Sequence, residues 1–260
     1  MNIINESCFK QIDKQYHEDD NVVATYDKRI TNSYKLEHKY FTLDLWIKKL
    51  KQKKFKTILD FGSGTGTATI KLLSNKLKAV SVDASMKMMK KLRFKARAVQ
   101  LSPNCIIADV ESLPLKSQCF DGVICMGVLH HLPNKRKAIE NQISVLKNNG
   151  CVFISEPFKH KPRVSYVYHL LARVGRFLAR LFIIKRHSRT KESDLTSKDL
   201  ILIRSVFEEH GFSCTVRLLT YWPLICACVP EGIMLPIIKF LNKTQVGRVR
   251  GDTVIIIAER

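Results

Sequence analysis

Three carboxylates close three successive apolar runs: Asp60 in "TILDF" (57–61), Asp83 in "AVSVD" (79–83) and Asp109 in "CIIAD" (105–109). Behind the first stand Gly62, Gly64 and Gly66, spaced G-x-G-x-G. A glycine turn between a strand and a helix lets main-chain N–H groups approach a ligand with no side chain in the way. The dinucleotide fingerprint is G-x-G-x-x-G, its third glycine bringing the helix close to a pyrophosphate. Here Thr67 holds that third position. Asp60, two residues before the first glycine, is unfavourable beside a pyrophosphate and suits a cationic ammonium. Asp83 is placed to accept both hydroxyls of a ribose, as an acid at the end of the second strand does in nucleotide folds. Ser85 and Met86 then flank an adenine, and Asp109 accepts from its amino group. A single strand-end acid reads equally well as a helix N-cap. Three in series behind such a turn describe a site for an adenosine with a cationic tail.

A second set of residues could move a proton. His130 and His131 follow the run "DGVICM" (121–126), and Glu156 ends the run "CVFISE" (151–156). Imidazole titrates near neutrality and can take a proton from a phenol or enol. The non-catalytic readings are a histidine packed under the next helix and a solvated Glu156. The eight cysteines contain no C-x-x-C pair, so no metal site and no disulfide framework is expected. Free thiols scattered through strand-like runs point to a reducing, cytosolic compartment.

Helical patterns over 66–75, 85–97 and 135–147 separate most of the strand-like runs, the last ended by "NNG" with Gly150 as its stop. Short buried strands alternating with helices imply an α/β fold with a parallel sheet covered on both faces. Residues 1–40 read as a polar arm with short helices, and 41–56 has helical spacing at Leu43, Leu45, Trp46 and Leu50. After Glu156 the alternation breaks. The segment 165–187 is basic and amphipathic, with Arg173, Arg176 and Arg180 on one face. A helix follows from about Ser197 to His210, with Thr196 and Asp199 as a capping box and Gly211 as its stop. Strand-like runs at 213–221 and 252–260 flank a hydrophobic stretch, 222–241.

Taken in order, "ILDFGSGTG", "VSVDASMKMM", "ADVESLPLKSQCFDGVICMGVLHHL" and "LKNNGCVFISEP" resemble the successive motifs of class I S-adenosylmethionine-dependent methyltransferases. The nearest type is the broad group that includes ubiquinone/menaquinone-biosynthesis enzymes. The resemblance covers about residues 55–157; "VVATYDKRI" (22–30) resembles the stretch before that core more loosely, and "VIIIAER" its final strand. It implies a Rossmann-like seven-stranded, mostly parallel sheet with helices on both faces and the last strand antiparallel. It also implies a helical arm over 1–50 and a methyltransferase domain over 51–260, with cap or interface insertions around 158–195 and 222–245. The implied cofactor is S-adenosyl-L-methionine. By the same resemblance, Asp60, Gly62, Gly64 and Gly66 contact its methionine end, and Asp83 its ribose. Ser85 and Met86 lie by the adenine, Asp109 and Val110 read the adenine edge, and Met126 and Gly127 line the wall near the sulfonium.

The expected activity is methyl transfer to an oxygen or carbon of a small, apolar or lipid-like molecule. His130 and His131 are the candidate bases, and His131 and Glu156 line the acceptor pocket. No asparagine-proline-proline-tyrosine motif follows the fourth run, where "CMGVLHHL" stands, which argues against base amines as acceptors. A tRNA methyltransferase is the alternative, and a non-catalytic S-adenosylmethionine-binding protein the third reading. The 44 Lys and Arg against 23 Asp and Glu give a net charge of +21, which favours polyanions as partners. An anionic membrane surface fits the basic amphipathic segment; "KKLKQKKFK" (48–56) and "KKLRFKAR" (90–97) could instead track nucleic-acid phosphates. The polar, acidic N-terminus is no signal peptide, and no apolar run reaches the roughly 18 residues of a spanning helix. The expected location is cytoplasmic, with peripheral membrane contact.

Overall fold

A computed structural model of the chain describes residues 11, 14–30, 33–159, 194–219 and 253–260. The basic amphipathic segment 165–187 and the hydrophobic stretch 222–241 lie outside the described residues, as does most of both expected insertions.

Seven strands form one sheet: β1 (Thr57–Phe61), β2 (Lys78–Asp83), β3 (Asn104–Ile107), β4 (Phe120–Met126), β5 (Leu146–Pro157), β6 (Ser213–Leu219) and β7 (Thr253–Glu259). Their order is β3-β2-β1-β4-β5-β7-β6. β1 to β5 pair in parallel, and β7 runs antiparallel to both β5 and β6. Around the sheet lie α1 (Asp20–Ile30), α2 (Ser33–Gln52), α3 (Thr67–Ser74), α4 (Met86–Ala98), α5 (Lys135–Ser144) and α6 (Ser197–Glu209).

Side chains alternate across a strand, so a strand buried on both faces feeds two cores. Leu59, Phe61, Val123, Cys125, Val152 and Ile154 point into one, closed by α5 and α6 through Ile139, Ile203 and Phe207. Ile58, Ile124, Phe153 and Ile255 point into the other, closed by Leu43, Trp46 and Leu50 of α2 and Leu72 of α3. Trp46 packs on Phe153 with ring centroids 5.4 Å apart. The strand order reverses between β1 and β4, and ligands of open α/β sheets bind outside the carboxyl ends of the strands at such a switch point.

Element boundaries differ from the sequence expectations at two places. α2 begins at Ser33 rather than near 41. The helix expected over 135–147 ends at Ser144, and Gly150 is no helix stop: it lies inside β5, which starts at Leu146. A Cβ on Gly150 would stand 2.8 Å from Leu146 Cδ2 and 3.1 Å from the Asp121 carbonyl, so close packing against β4 excludes a side chain there. The register shift between Phe120 and Gly122 occurs at the same place. α6 carries the expected capping box: Thr196 Oγ1 accepts from Asp199 N, and Asp199 Oδ2 accepts from Thr196 N.

Candidate active site

The glycine turn leaves β1 at the switch point. Gly62, Gly64 and Gly66 have φ of 72°, 52° and 83°. At Gly62 a Cβ would stand 2.4 Å from Val128 Cγ2, and at Gly66 one would stand 2.3 Å from Leu92 Cγ. These two glycines hold the turn against the fourth strand's loop and against α4. Gly64 differs: the nearest atom to a Cβ there is the Tyr26 hydroxyl, 3.7 Å away. Its backbone therefore faces a cleft between the turn and the N-terminal arm.

The acids around the turn have distinct tasks. Asp60 is buried beneath it, and its Oδ2 accepts from Thr69 N at 2.9 Å and from the Thr69 hydroxyl, which also meets Ser81 Oγ. Asp60 thereby ties the first turn of α3 to β1, a favourable place for an anion at a helix N-terminus. Asp83 accepts from Gly64 N at 2.8 Å through Oδ2 and from Ser85 N at 2.9 Å through Oδ1, which turns its half-buried carboxylate to the cleft side of the glycine turn. Ser85 caps α4: its hydroxyl accepts from Met88 N and donates to the His17 carbonyl of the arm. Met86 beside it is exposed. Asp109 stands just past β3 and caps a short 3-10 turn, accepting from Glu111 N, and Val110 in that turn is buried. Gly127, φ 69°, ends β4 half-buried beside Met126.

His130 and Glu156 form a buried pair across the same end of the sheet. Glu156 Oε1 accepts from Val128 N at 2.8 Å and Leu129 N at 3.0 Å, while Oε2 lies 2.7 Å from His130 Nδ1. Glu156 has no exposed surface, so it is not a solvated strand end. Burial alone would push its carboxyl up, yet the His130 bond and charge and the two main-chain donors hold it below the usual carboxylate range. An anionic Glu156 can only accept, so Nδ1 carries the ring proton and donates to it, which leaves Nε2 as the nitrogen able to accept. The His130 ring edge lies 3.8 Å from where a Cβ of Gly127 would stand. Cys125 beneath the pair stays a thiol, because burial and the charges of Glu156 and Asp60 push it well above its ordinary range.

The arm closes the cleft. His131 stacks on His130 at 4.0 Å and meets His17 edge-on at 5.3 Å, and His17 also contacts Tyr26. Lys91 Nζ donates to the carbonyls of Val23 and Ala24, and Lys87 pairs with Asp20. His17 carries no spacing signal in the sequence; Tyr26 was visible only as part of "VVATYDKRI". The expected residues lie at or just past the ends of β1 to β5, with Asp60 and Val110 buried among them. Among the described residues no cluster of His, Cys, Asp and Glu could hold a metal ion.

Comparison with known proteins gives the class. Residues 59–154 match the methyltransferase domain family. The ubiquinone/menaquinone biosynthesis C-methyltransferase UbiE of Cronobacter sakazakii is 31% identical over 134 residues, 47% of this chain and 53% of that protein. The Escherichia fergusonii UbiE is 28% identical over 167 residues, 60% of this chain and 66% of its own length. The chain thus spans between half and two thirds of the curated relatives it matches. Among solved structures, magnesium protoporphyrin IX methyltransferase from Synechocystis PCC 6803 shares the fold with a TM-score of 0.61 at 18% identity, covering 96% of this chain and 99% of that one. YcgJ from Bacillus subtilis does so with 0.56 at 17% identity, over 85% and 98%. Residues 59–154 thus form a methyltransferase domain, a class whose methyl donor is S-adenosylmethionine, and the sheet has the fold of the magnesium protoporphyrin IX methyltransferase.

The residues fit that cofactor. Gly64 presents bare backbone to a cleft that a side chain would fill, and Asp83 faces it with a carboxylate. Thr67 at the first position of α3, with Asp60 buried under the turn, provides no pyrophosphate seat.

Proposed function

We propose that the protein transfers the methyl group of S-adenosylmethionine to an oxygen or carbon of a small, apolar or lipid-like acceptor, with His130 as general base. When bound, the cofactor supplies an activated methyl on a sulfonium, so the chain has to orient two partners and exclude water. The observation that carries the reading is the buried Glu156–His130 pair beside the glycine turn. A base is needed only where the acceptor holds its proton, as a phenol, enol or acidic carbon does. His130 Nε2 would take that proton, leaving the acceptor an electron pair for the methyl that the bound sulfonium would supply, with the thioether as leaving group. The imidazolium formed is stabilised by the Glu156 carboxylate 2.7 Å away. Asp83, Ser85 and Met86 with Asp109 and Val110 would hold the adenosine, and Gly62, Gly64, Gly66, Met126 and Gly127 the reacting end. Asp60 would act on the methionine end from beneath the turn, and His131 would line the acceptor side. The relatives named for C-methylation in ubiquinone/menaquinone biosynthesis support a carbon acceptor on an apolar ring.

The test is transfer of labelled methyl from S-adenosylmethionine into a cell extract, followed by organic extraction and nuclease digestion. Label in the organic phase, lost with His130→Ala while calorimetric affinity for S-adenosylhomocysteine persists, is the expected result. Nuclease-sensitive label would favour the tRNA alternative. Donor binding with no label transferred anywhere would leave a binding protein.

A further inference from the structure

The net charge of the described residues is concentrated in one part of the fold. Residues 33–100 carry 17 Lys and Arg against four Asp and Glu, whereas the described residues 101–159, 194–219 and 253–260 together carry ten of each. The division follows the fold. From β1 to β2 to β3 the chain steps in one direction across the sheet, and from β4 to β5 in the other. Parallel crossovers are right-handed, so α3 and α4 cover one face of the sheet and α5 the opposite one. α2 packs with α3 in the same core. Among the described residues, one face of the sheet is therefore covered by a basic three-helix layer, and the other by a layer of balanced charge.

That basic layer is also where apolar side chains reach solvent. Of the seven large hydrophobic residues exposed among the described residues, five lie within 33–100: Tyr40, Leu45, Met86, Phe94 and Val99. On α4, a helix of six basic and no acidic residues, Lys90, Arg93, Phe94 and Arg97 are three or four apart and share one exposed stripe. Phe94 is 74% exposed. Lys90, Arg93 and Arg97 form no ion pair with any described acid, unlike Lys87 with Asp20 or Lys71 with Asp44.

We propose that the α2–α3–α4 layer is a docking surface for an anionic phospholipid bilayer, with the Lys90–Arg93–Phe94–Arg97 stripe at its centre. Basic heads with an apolar residue among them match a headgroup layer, where charge and burial add. Single-stranded nucleic acid would call for stacked aromatic platforms along a groove. Of the five exposed residues only Tyr40 and Phe94 carry rings, and Lys71 Nζ lies 4.5 Å over that of Tyr40, so no row of rings lines the face. The inference goes beyond the methyl-transfer reading and stands or falls without it, because docking is read with no turnover.

The experiment is co-sedimentation of the full chain with phosphatidylcholine vesicles, with and without phosphatidylglycerol. Binding to the anionic vesicles alone, weakened by salt, is expected. Lys90→Glu/Arg93→Glu/Arg97→Glu should lower the partition coefficient at least about 100-fold, the loss of each of the three positive charges alone counting for roughly fivefold. Phe94→Ser should lower it about tenfold, a loss that remains when salt is raised. Calorimetry with S-adenosylhomocysteine checks that each variant is folded. Full vesicle binding by the charge-reversal variant, or its loss only with Arg173, Arg176 and Arg180 replaced, overturns the assignment. So does vesicle binding unchanged while affinity for a labelled RNA oligonucleotide falls in the same variants.

Discussion

Glu156→Gln separates the geometry of the buried pair from its charge. The side-chain oxygen keeps its place on Val128 N and Leu129 N, which donate from 2.8 and 3.0 Å. The amide nitrogen then stands where Oε2 was, 2.7 Å from His130 Nδ1, and can only donate. Nδ1 must become the acceptor, the ring proton moves to Nε2, and the lone pair facing the cleft is lost. Hydrogen bonds to a charged group contribute about 1.5–3 kcal/mol and neutral ones about 0.5–1.5, so the cost in stability is about 1–2 kcal/mol. Turnover should fall about 10²–10⁴-fold, the usual contribution of a positioned base. Affinity for S-adenosylhomocysteine should change less than about twofold, because neither atom of the pair belongs to the donor cradle. Glu156→Ala, which strands two N–H groups and an imidazole in the interior, should cost about 3–5 kcal/mol. Urea unfolding, calorimetry and methyl-label counting read the three quantities, and the ¹⁵N shifts of the His130 ring read the tautomer. Wild-type turnover in Glu156→Gln, or a protonated Nε2 in the neutral wild-type ring, would refute the argument.

Glu156 also sets an acid limb. Its carboxyl is held below its ordinary 4.5 in the fold, so its stabilisation is complete above that value and is lost as pH falls through the lower folded one. The urea midpoint of Glu156→Gln should therefore fall less steeply over that window than the wild-type midpoint. Asp83→Ala should weaken S-adenosylhomocysteine binding by about 1–3 kcal/mol in calorimetry, and unchanged affinity would take the ribose assignment away from Asp83. Gly62→Ala combines a left-handed φ with a 2.4 Å approach to Val128 and should cost about 2–4 kcal/mol. Adding Val128→Ala should recover the overpacking part, so additive losses in the double variant would count against this cause. Thr196→Ala should cost about 1 kcal/mol in thermal unfolding, by loss of the α6 cap.

What the chain shows without coordinates is what repeats along it. The strand-end acids and the glycine turn lie within short windows, and Asp83 stands at the end of β2 as its position in "AVSVD" implies. Gly150 misleads because a glycine after a helical pattern reads as a stop, whereas this one is required by the Leu146 and Asp121 atoms pressed against it from within β5 and from β4. His17 is invisible because its partners are distant in sequence: His131 across the cleft and Ser85 on α4. The pairing of Glu156 with His130 spans 26 residues and two parallel strands, so no local pattern announces it. The 17 basic against four acidic residues of 33–100 can be counted directly, but their meaning appears only once the crossovers sort the helices onto faces.

Part of the arm's fastening runs through its main chain. Ser85 donates to the carbonyl of His17, and Lys91 to those of Val23 and Ala24. Every amino acid presents the same carbonyl, so side chains at 17, 23 and 24 can drift between lineages while the latch survives. The burden of keeping these three bonds falls on the helix that holds them, at Ser85 and Lys91. A family built this way could retune the cleft wall repeatedly from the arm, testing new acceptors, without having to reinvent the closure.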